Sequence, residues 1–174
     1  MKVLKFGGRS LSNEGISKVV AIIGKVAAEG AVAVVVSARA DATDRLLDLL
    51  EQARTGEDYT PALSALKAYQ SADFGVDLTN EFRLLDKLLE GVSLLKDYTQ
   101  RTADLVLAQG ELMAAQTVVA LLRQAGVKAR FVDSREIFKT DAVVGNAQIL
   151  SGVSEEKTRA LFAEIAPREV AVVT

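Results

Sequence analysis

Val3-Leu4-Lys5-Phe6-Gly7-Gly8-Arg9-Ser10 and Ala31-Val32-Ala33-Val34-Val35-Val36 decide the fold. Val3, Leu4 and Phe6 are the apolar residues of a first buried strand. Ala31–Val36 is an unbroken apolar run, which marks an inner parallel strand covered on both faces. Between them Ile16, Val19, Val20, Ile23 and Val26 recur at helical spacing after the start signal Ser12-Asn13-Glu14, and Gly30 closes the helix. The chain therefore opens β-α-β, a unit that needs a parallel sheet. Lys5 interrupts the first strand, and a lysine among buried neighbours is costly unless it meets an anion. Gly7-Gly8 let a backbone approach such an anion closely. Two readings stand here: a phosphate or carboxylate site at the carboxyl end of the first strand, or an ordinary strand and glycine turn with Lys5 reaching to water. The spacing matches neither a Walker loop nor a Gly-x-Gly-x-x-Gly fingerprint.

Further along, Thr43 or Asp44 is expected to cap a helix carrying Leu46, Leu47, Leu49 and Leu50, which Gly56-Glu57-Asp58 breaks. Pro61 starts another helix, and the chain reads as nearly all helix to about residue 125. Leu84, Leu85, Leu88, Leu89, Val92 and Leu95 form one apolar stripe there; Leu105, Leu112, Val118, Val119 and Leu122 belong to a second long helix. These are core positions of a helical hairpin inserted into an α/β frame. After Gly126 come a third strand at Ala129–Val132, a short strand at Ile137–Phe138, and a hairpin at Ala147–Leu150. A helix capped by Ser154 follows, and a last strand at Glu169–Val173. Ending on a strand without its helix is odd for a doubly wound fold, and the expectation is a truncated chain or a fragment.

The 174 residues suffice for one domain with a real core. A net charge of −2 gives no case for nucleic-acid binding. With no cysteine and no histidine, disulfides, thiolate chemistry, histidine bases and Ser-His-Asp triads are excluded within the chain. Lysine, arginine, carboxylates, hydroxyls and backbone amides remain, a set that suits phosphoryl transfer. No signal peptide is legible and Ala31–Val36 is too short to cross a bilayer, so the expectation is a cytoplasmic chain with no membrane partner.

Lys5-Phe6-Gly7-Gly8-Arg9-Ser10-Leu11 resembles the opening of aspartokinases, which belong to the amino acid kinase family. Four further stretches agree in order and rough spacing. Val35-Val36-Ser37-Ala38-Arg39-Ala40-Asp41-Ala42-Thr43-Asp44 is similar to the family's Val-Ser-Ala loop. Gly110-Glu111-Leu112-Met113-Ala114-Ala115 is similar to its Gly-Glu-Leu helix. Phe131-Val132-Asp133-Ser134-Arg135 is similar to a strand end, and Thr140-Asp141 with Gly145-Asn146-Ala147 to its Thr-Asp…Gly-Asn-Ala segment. The Gly-Gly-Arg-Ser-Leu and Ser-Ala-Arg variants look most like the kinase portion of bifunctional aspartokinase–homoserine dehydrogenases.

The resemblance implies an α/β fold: a three-layer α/β/α sandwich with a mainly parallel sheet, a helical insertion in the middle, and truncation at the C-terminus. Residues 1–174 would be the N-terminal, substrate-side portion of an amino acid kinase domain. It implies a parent that uses ATP and Mg²⁺ to phosphorylate the β-carboxylate of L-aspartate, the first step toward lysine, threonine and methionine, and that forms homo-oligomers. No protein metal ligand is implied. Carried over by position, Lys5 would neutralise phosphate charge in the transition state, and Gly7 and Gly8 would bring backbone amides to the phosphoryl group. Ser37 and Thr43 would hydrogen-bond the amino acid or support its loop, and Glu111 would bind its α-ammonium group. The bland alternative for Glu111 is an exposed helix residue. Ser10, Arg135 and Gly145 are further candidates; Arg135 would bind a carboxylate bidentately or pair with Asp133 or Asp141. Arg39 and Asp41 are loop residues to which this reading assigns no particular role.

Two departures stand out. The Ser37–Thr43 loop lacks the glycine many members carry, and Val144 stands where the family often has phenylalanine. The family's second half, with most of the nucleotide site, would follow Thr174, so the chain alone is expected to be inactive. The alternatives are another amino acid kinase, for acetylglutamate, glutamate, carbamate or a nucleotide, and a non-catalytic α/β ligand-binding module.

Overall fold

The computed structural model describes residues 1–71 and 74–174. Positions 72 and 73, inside the expected helical stretch, lie outside the described residues. The elements run β1 (Lys2–Phe6), a 3-10 turn (Gly8–Leu11), α1 (Ile16–Glu29), β2 (Val32–Val36), α2 (Ala42–Thr55), α3 (Thr60–Ser71), α4 (Thr79–Leu95), α5 (Gln100–Gln124), β3 (Ala129–Val132), α6 (Ser134–Ile137), α7 (Ser151–Glu164) and β4 (Val170–Val173). The four strands form one parallel sheet in the order β1-β2-β4-β3. All four therefore end at the same side of the molecule, as open α/β sheets require for a binding edge.

Strand alternation sorts the side chains into two faces. Leu4, Phe6, Val32, Val34, Val36, Ala129, Phe131, Val170 and Val172 pack with α1 and the second half of α5 in the main core. Val132, Val35, Ala171 and Val173 face the other way, where Leu161 and Phe162 of α7 and Ile165 just after it meet them. The three layers of the expected sandwich are thus present. The α7 layer does not reach β1, and Val3 is 64% exposed beside an apolar groove of about 500 Å³ lined also by Val35, Phe138 and Phe162. Lys5 shares this open face, so the first strand is not buried on both sides. The ammonium reaches solvent instead of needing an internal anion.

The helical insertion is larger than a hairpin. Helices α2, α3 and α4 and the first half of α5 enclose a second core around Leu46, Leu50, Leu66, Leu85, Leu89 and Met113. In α4 the buried stripe is Phe82, Leu85, Leu89 and Val92. Leu84 and Leu95, read from sequence as part of that stripe, are exposed, as is Leu105 in α5. A single 3/4-spaced row is all that one packed face of a helix can bury. Helix α5 has the length and hydropathy of a membrane-crossing helix, but its apolar residues are divided between the two cores.

Four local expectations are corrected. Helix α2 begins at Ala42, with Asp41 in the left-handed region ahead of it (φ 59°), so Thr43 and Asp44 lie in its first turn and cap nothing. Ile137–Phe138 is not a strand: Asp133 Oδ1 accepts a hydrogen bond from Arg135 N (3.0 Å), starting the one-turn helix α6 that buries Ile137. Ser154 is inside α7 and not at its start; buried, it accepts from Lys139 N (3.0 Å) and donates to Lys139 O (3.3 Å). The expected hairpin at Ala147–Leu150 reduces to one antiparallel bridge, Thr140 with Ile149.

Candidate active site at the ends of β1 and β2

The loops leaving β1 and β2 are bound to each other. Ser37 N donates to Phe6 O (3.3 Å) and Ala40 N donates to Gly8 O (3.0 Å), extending the strand pairing beyond the sheet. The approach is closest at Gly8, where a β-carbon would stand 2.5 Å from Ala38 O. Gly7 has an ordinary extended backbone (φ −81°, ψ 166°), so space decides here, not conformation. The nearest atom to a β-carbon on Gly7 is Lys5 Nζ, at 3.4 Å. The lysine therefore folds back over the glycine, placing its ammonium beside the Gly7 backbone.

Helix α5 closes the cluster from above. Gly110 is buried against the β2 loop: a β-carbon there would stand 2.9 Å from Ala38 Cβ and 3.3 Å from Leu46 Cδ1. This contact sets the height of Glu111, the next residue. Glu111 is half-buried and, among the described residues, has no side-chain hydrogen bond or ion pair. A half-buried carboxylate without an internal partner is available to an external cation. Lys5 likewise makes no ion pair among the described residues. The β1 turn that follows Lys5 and the helix that carries Glu111 thus both pack on the β2 loop at Ala38, through Gly8 and Gly110.

The other candidates divide. Ser37 is half-buried in the β2 loop and Thr43 exposed in the first turn of α2, both close in sequence to Ala38. Ser10 is exposed in the 3-10 turn, its N–H donating to Gly7 O (2.9 Å). Arg135 lies at the end of β3, on the far edge of the sheet from β1. Its Nε donates to Asp133 Oδ1 and Oδ2 (2.8 and 3.0 Å), which selects the Asp133 pair among its sequence readings. That guanidinium holds the Asp133 carboxyl below its ordinary range, and Asp133 in turn raises Arg135. Gly145 has φ 80° and rests against Gln100 at the start of α5. Glu111 lies eleven residues along the same helix, roughly 16 Å away at the α-helical rise. Val144 is 54% exposed.

Sequence reading missed Arg39. It is 1% exposed, and its guanidinium hydrogen-bonds two separate segments, at Leu11–Asn13 and at Tyr69–Gln70. A charged residue in a loop gives no local sign of burial; its partners are supplied by chain dozens of residues away.

Parallel strand ends carrying a lysine and a glycine pair, with a carboxylate on the helix packed over them, define an α/β protein with a candidate site of mixed charge. The chain belongs to the amino acid kinase family, whose profile matches residues 1–174. It is 32% identical over 174 residues to aspartokinase 2, chloroplastic, of Arabidopsis thaliana, covering 93% of this chain and 32% of that protein. It is 30% identical over 149 residues to the bifunctional aspartokinase/homoserine dehydrogenase 1 of the same organism, covering 78% of this chain and 16% of that one. Among solved structures, E. coli aspartokinase III in complex with aspartate and ADP superposes with a TM-score of 0.82 at 24% identity, over 98% of this chain and 40% of that chain. The same enzyme with lysine and aspartate gives 0.75 at 26% identity, with the same coverage. The chain thus spans a third or less of these plant relatives and two fifths of the bacterial enzyme.

Proposed function

We propose that this chain forms the substrate side of an aspartate kinase. The observation that supports it is the junction at Ala38, against which both Gly8 of the β1 turn and Gly110, the neighbour of Glu111, are packed. The likeness to aspartokinases, one of them solved with aspartate and ADP, supports the same reading. In the parent, ATP with Mg²⁺ supplies the phosphoryl group for the β-carboxylate of L-aspartate, opening the route to lysine, threonine and methionine. Among the described residues no group of three or more acidic side chains could hold a metal. A divalent ion would therefore arrive on the phosphate oxygens.

The chain's own residues divide the work by charge. Glu111 receives the substrate α-ammonium, which offsets the cost of a half-buried carboxylate. Ser37 and Thr43 hydrogen-bond the amino acid or hold its loop. Gly7 and Gly8 bring backbone amides to the transferring group. Lys5 neutralises charge that develops on it, an effect worth most where water is displaced.

Calorimetric titration with L-aspartate, with D-aspartate and L-glutamate as controls, tests the reading. L-Aspartate binding that Glu111→Ala abolishes is the expected result. Equal response to all three ligands, or binding that survives the substitution, overturns it.

A further inference from the structure

Arg39 is one of the largest fully buried side chains, yet it belongs to a loop. Its Nε donates to Leu11 O (3.0 Å), beyond β1, and its Nη2 to Asn13 Oδ1. Its Nη1 donates to Tyr69 O (2.7 Å) and to Gln70 Oε1 (3.3 Å), at the last turn of α3. A cation is favourable there, where helix carbonyls lack intrahelical partners. The guanidinium also lies 4.5 Å from the Tyr69 ring centre and 4.7 Å from that of Phe74. Tyr69 completes the circuit by donating its hydroxyl to Ala40 O (2.6 Å). The two residues flanking Arg39 are those that meet the other site segments: Ala38 touches Gly8 and Gly110, and the Ala40 N–H bonds Gly8 O.

We propose that Arg39 is a positioning residue: it bolts the β2 loop to the β1 turn and to the end of α3, and so sets the affinity of the site these loops frame. The affinity clause rests on the function proposed above; the loop-positioning clause does not. A planar five-donor fork meets all these acceptors at once, which the single ammonium of lysine does not. The helical insertion is thereby wired to the site through one side chain.

Arg39→Lys is the test, with Leu85→Ala in the distant α2–α4 core as a control for general destabilisation. Amide exchange is followed at Ala40 and at Val34 in the sheet, and L-aspartate is titrated into each protein. The expected result is a tenfold or greater acceleration at Ala40 beyond any change at Val34, with affinity down at least tenfold. Leu85→Ala should leave affinity within twofold. Equal acceleration at both amides, or affinity unchanged from the control, overturns the proposal. If the unaltered chain binds no L-aspartate, the functional reading fails, and the exchange ratio alone decides whether Arg39 positions the loop. Should Arg39→Lys not fold, Tyr69→Phe removes only the Ala40 anchor and is read by the same exchange ratio.

Discussion

Gly110 and Ala38 are packed so tightly that a methyl group on the glycine would stand 2.9 Å from the alanine methyl. Real β-carbons do not approach so closely, so the helix carrying Glu111 and the loop carrying Ser37 can hold this spacing only with glycine at position 110. Gly110→Ala should destabilise the fold by about 1–3 kcal/mol, the usual cost of overpacking a core. It should also weaken L-aspartate binding, because Glu111 moves with the helix. Urea unfolding and titration of the same variant check both effects.

The two glycines of the β1 turn should respond differently. A side chain on Gly8 meets backbone at Ala38 O (2.5 Å), whereas one on Gly7 meets only the mobile end of Lys5. Gly8→Ala should lose about 1–3 kcal/mol. Gly7→Ala should stay within about 0.5 kcal/mol of the unaltered chain while reducing phosphate-ligand affinity, if ligand and backbone meet there. Thermal unfolding with and without ADP separates the cases.

Lys5 is exposed and unpaired among the described residues, so removing its charge should leave stability within about 0.5 kcal/mol. Lys5→Ala should nevertheless weaken ADP binding about tenfold or more. Unchanged ADP affinity would return Lys5 to the role of a solvated strand residue.

Asp41 holds a left-handed conformation (φ 59°) that costs most L-residues about 1 kcal/mol and that aspartate tolerates better than branched residues do. Asp41→Gly should keep or raise stability by up to about 1 kcal/mol. Asp41→Val should lower it by about 1–2 kcal/mol. Chemical denaturation midpoints are sufficient to tell these apart.

The Asp133–Arg135 pair gives a pH signature. The folded-state pKa of Asp133 lies below its ordinary value, chiefly through the hydrogen bond from Arg135. Its contribution is therefore fully present above the unfolded aspartate value of about 3.9. It is lost as pH falls through the lower folded value. With Arg135 half-exposed, the pair is worth about 0.5 kcal/mol. Arg135→Ala should cost that amount at pH 7, and the difference should vanish under acid conditions. Paired unfolding curves across pH 2 to 7 measure it.

The elements themselves were legible without the tertiary structure. The unbroken run ending at Val36, the helical spacing from Ile16 to Val26, and the stops at Gly30 and Gly56 are local consequences of burial and backbone chemistry. The candidate site residues were picked out by the same kind of local signal, because a lysine beside two glycines and a carboxylate after Gly110 are unusual where they stand. Local pattern misled where another rule outweighed it. The apolar pair Ile137–Phe138 became helix and loop because Asp133 caps a turn. Leu84 and Leu95 stayed in solvent because one helix face had already filled the core. Only the tertiary structure decided that α7 leaves β1 open, that Lys5 is exposed, and that Gly110 rests on Ala38. It alone placed Arg39 between Leu11, Asn13 and Tyr69. Those facts depend on contacts between segments far apart in the chain, and no short-range periodicity encodes which distant carbonyls a buried guanidinium will find.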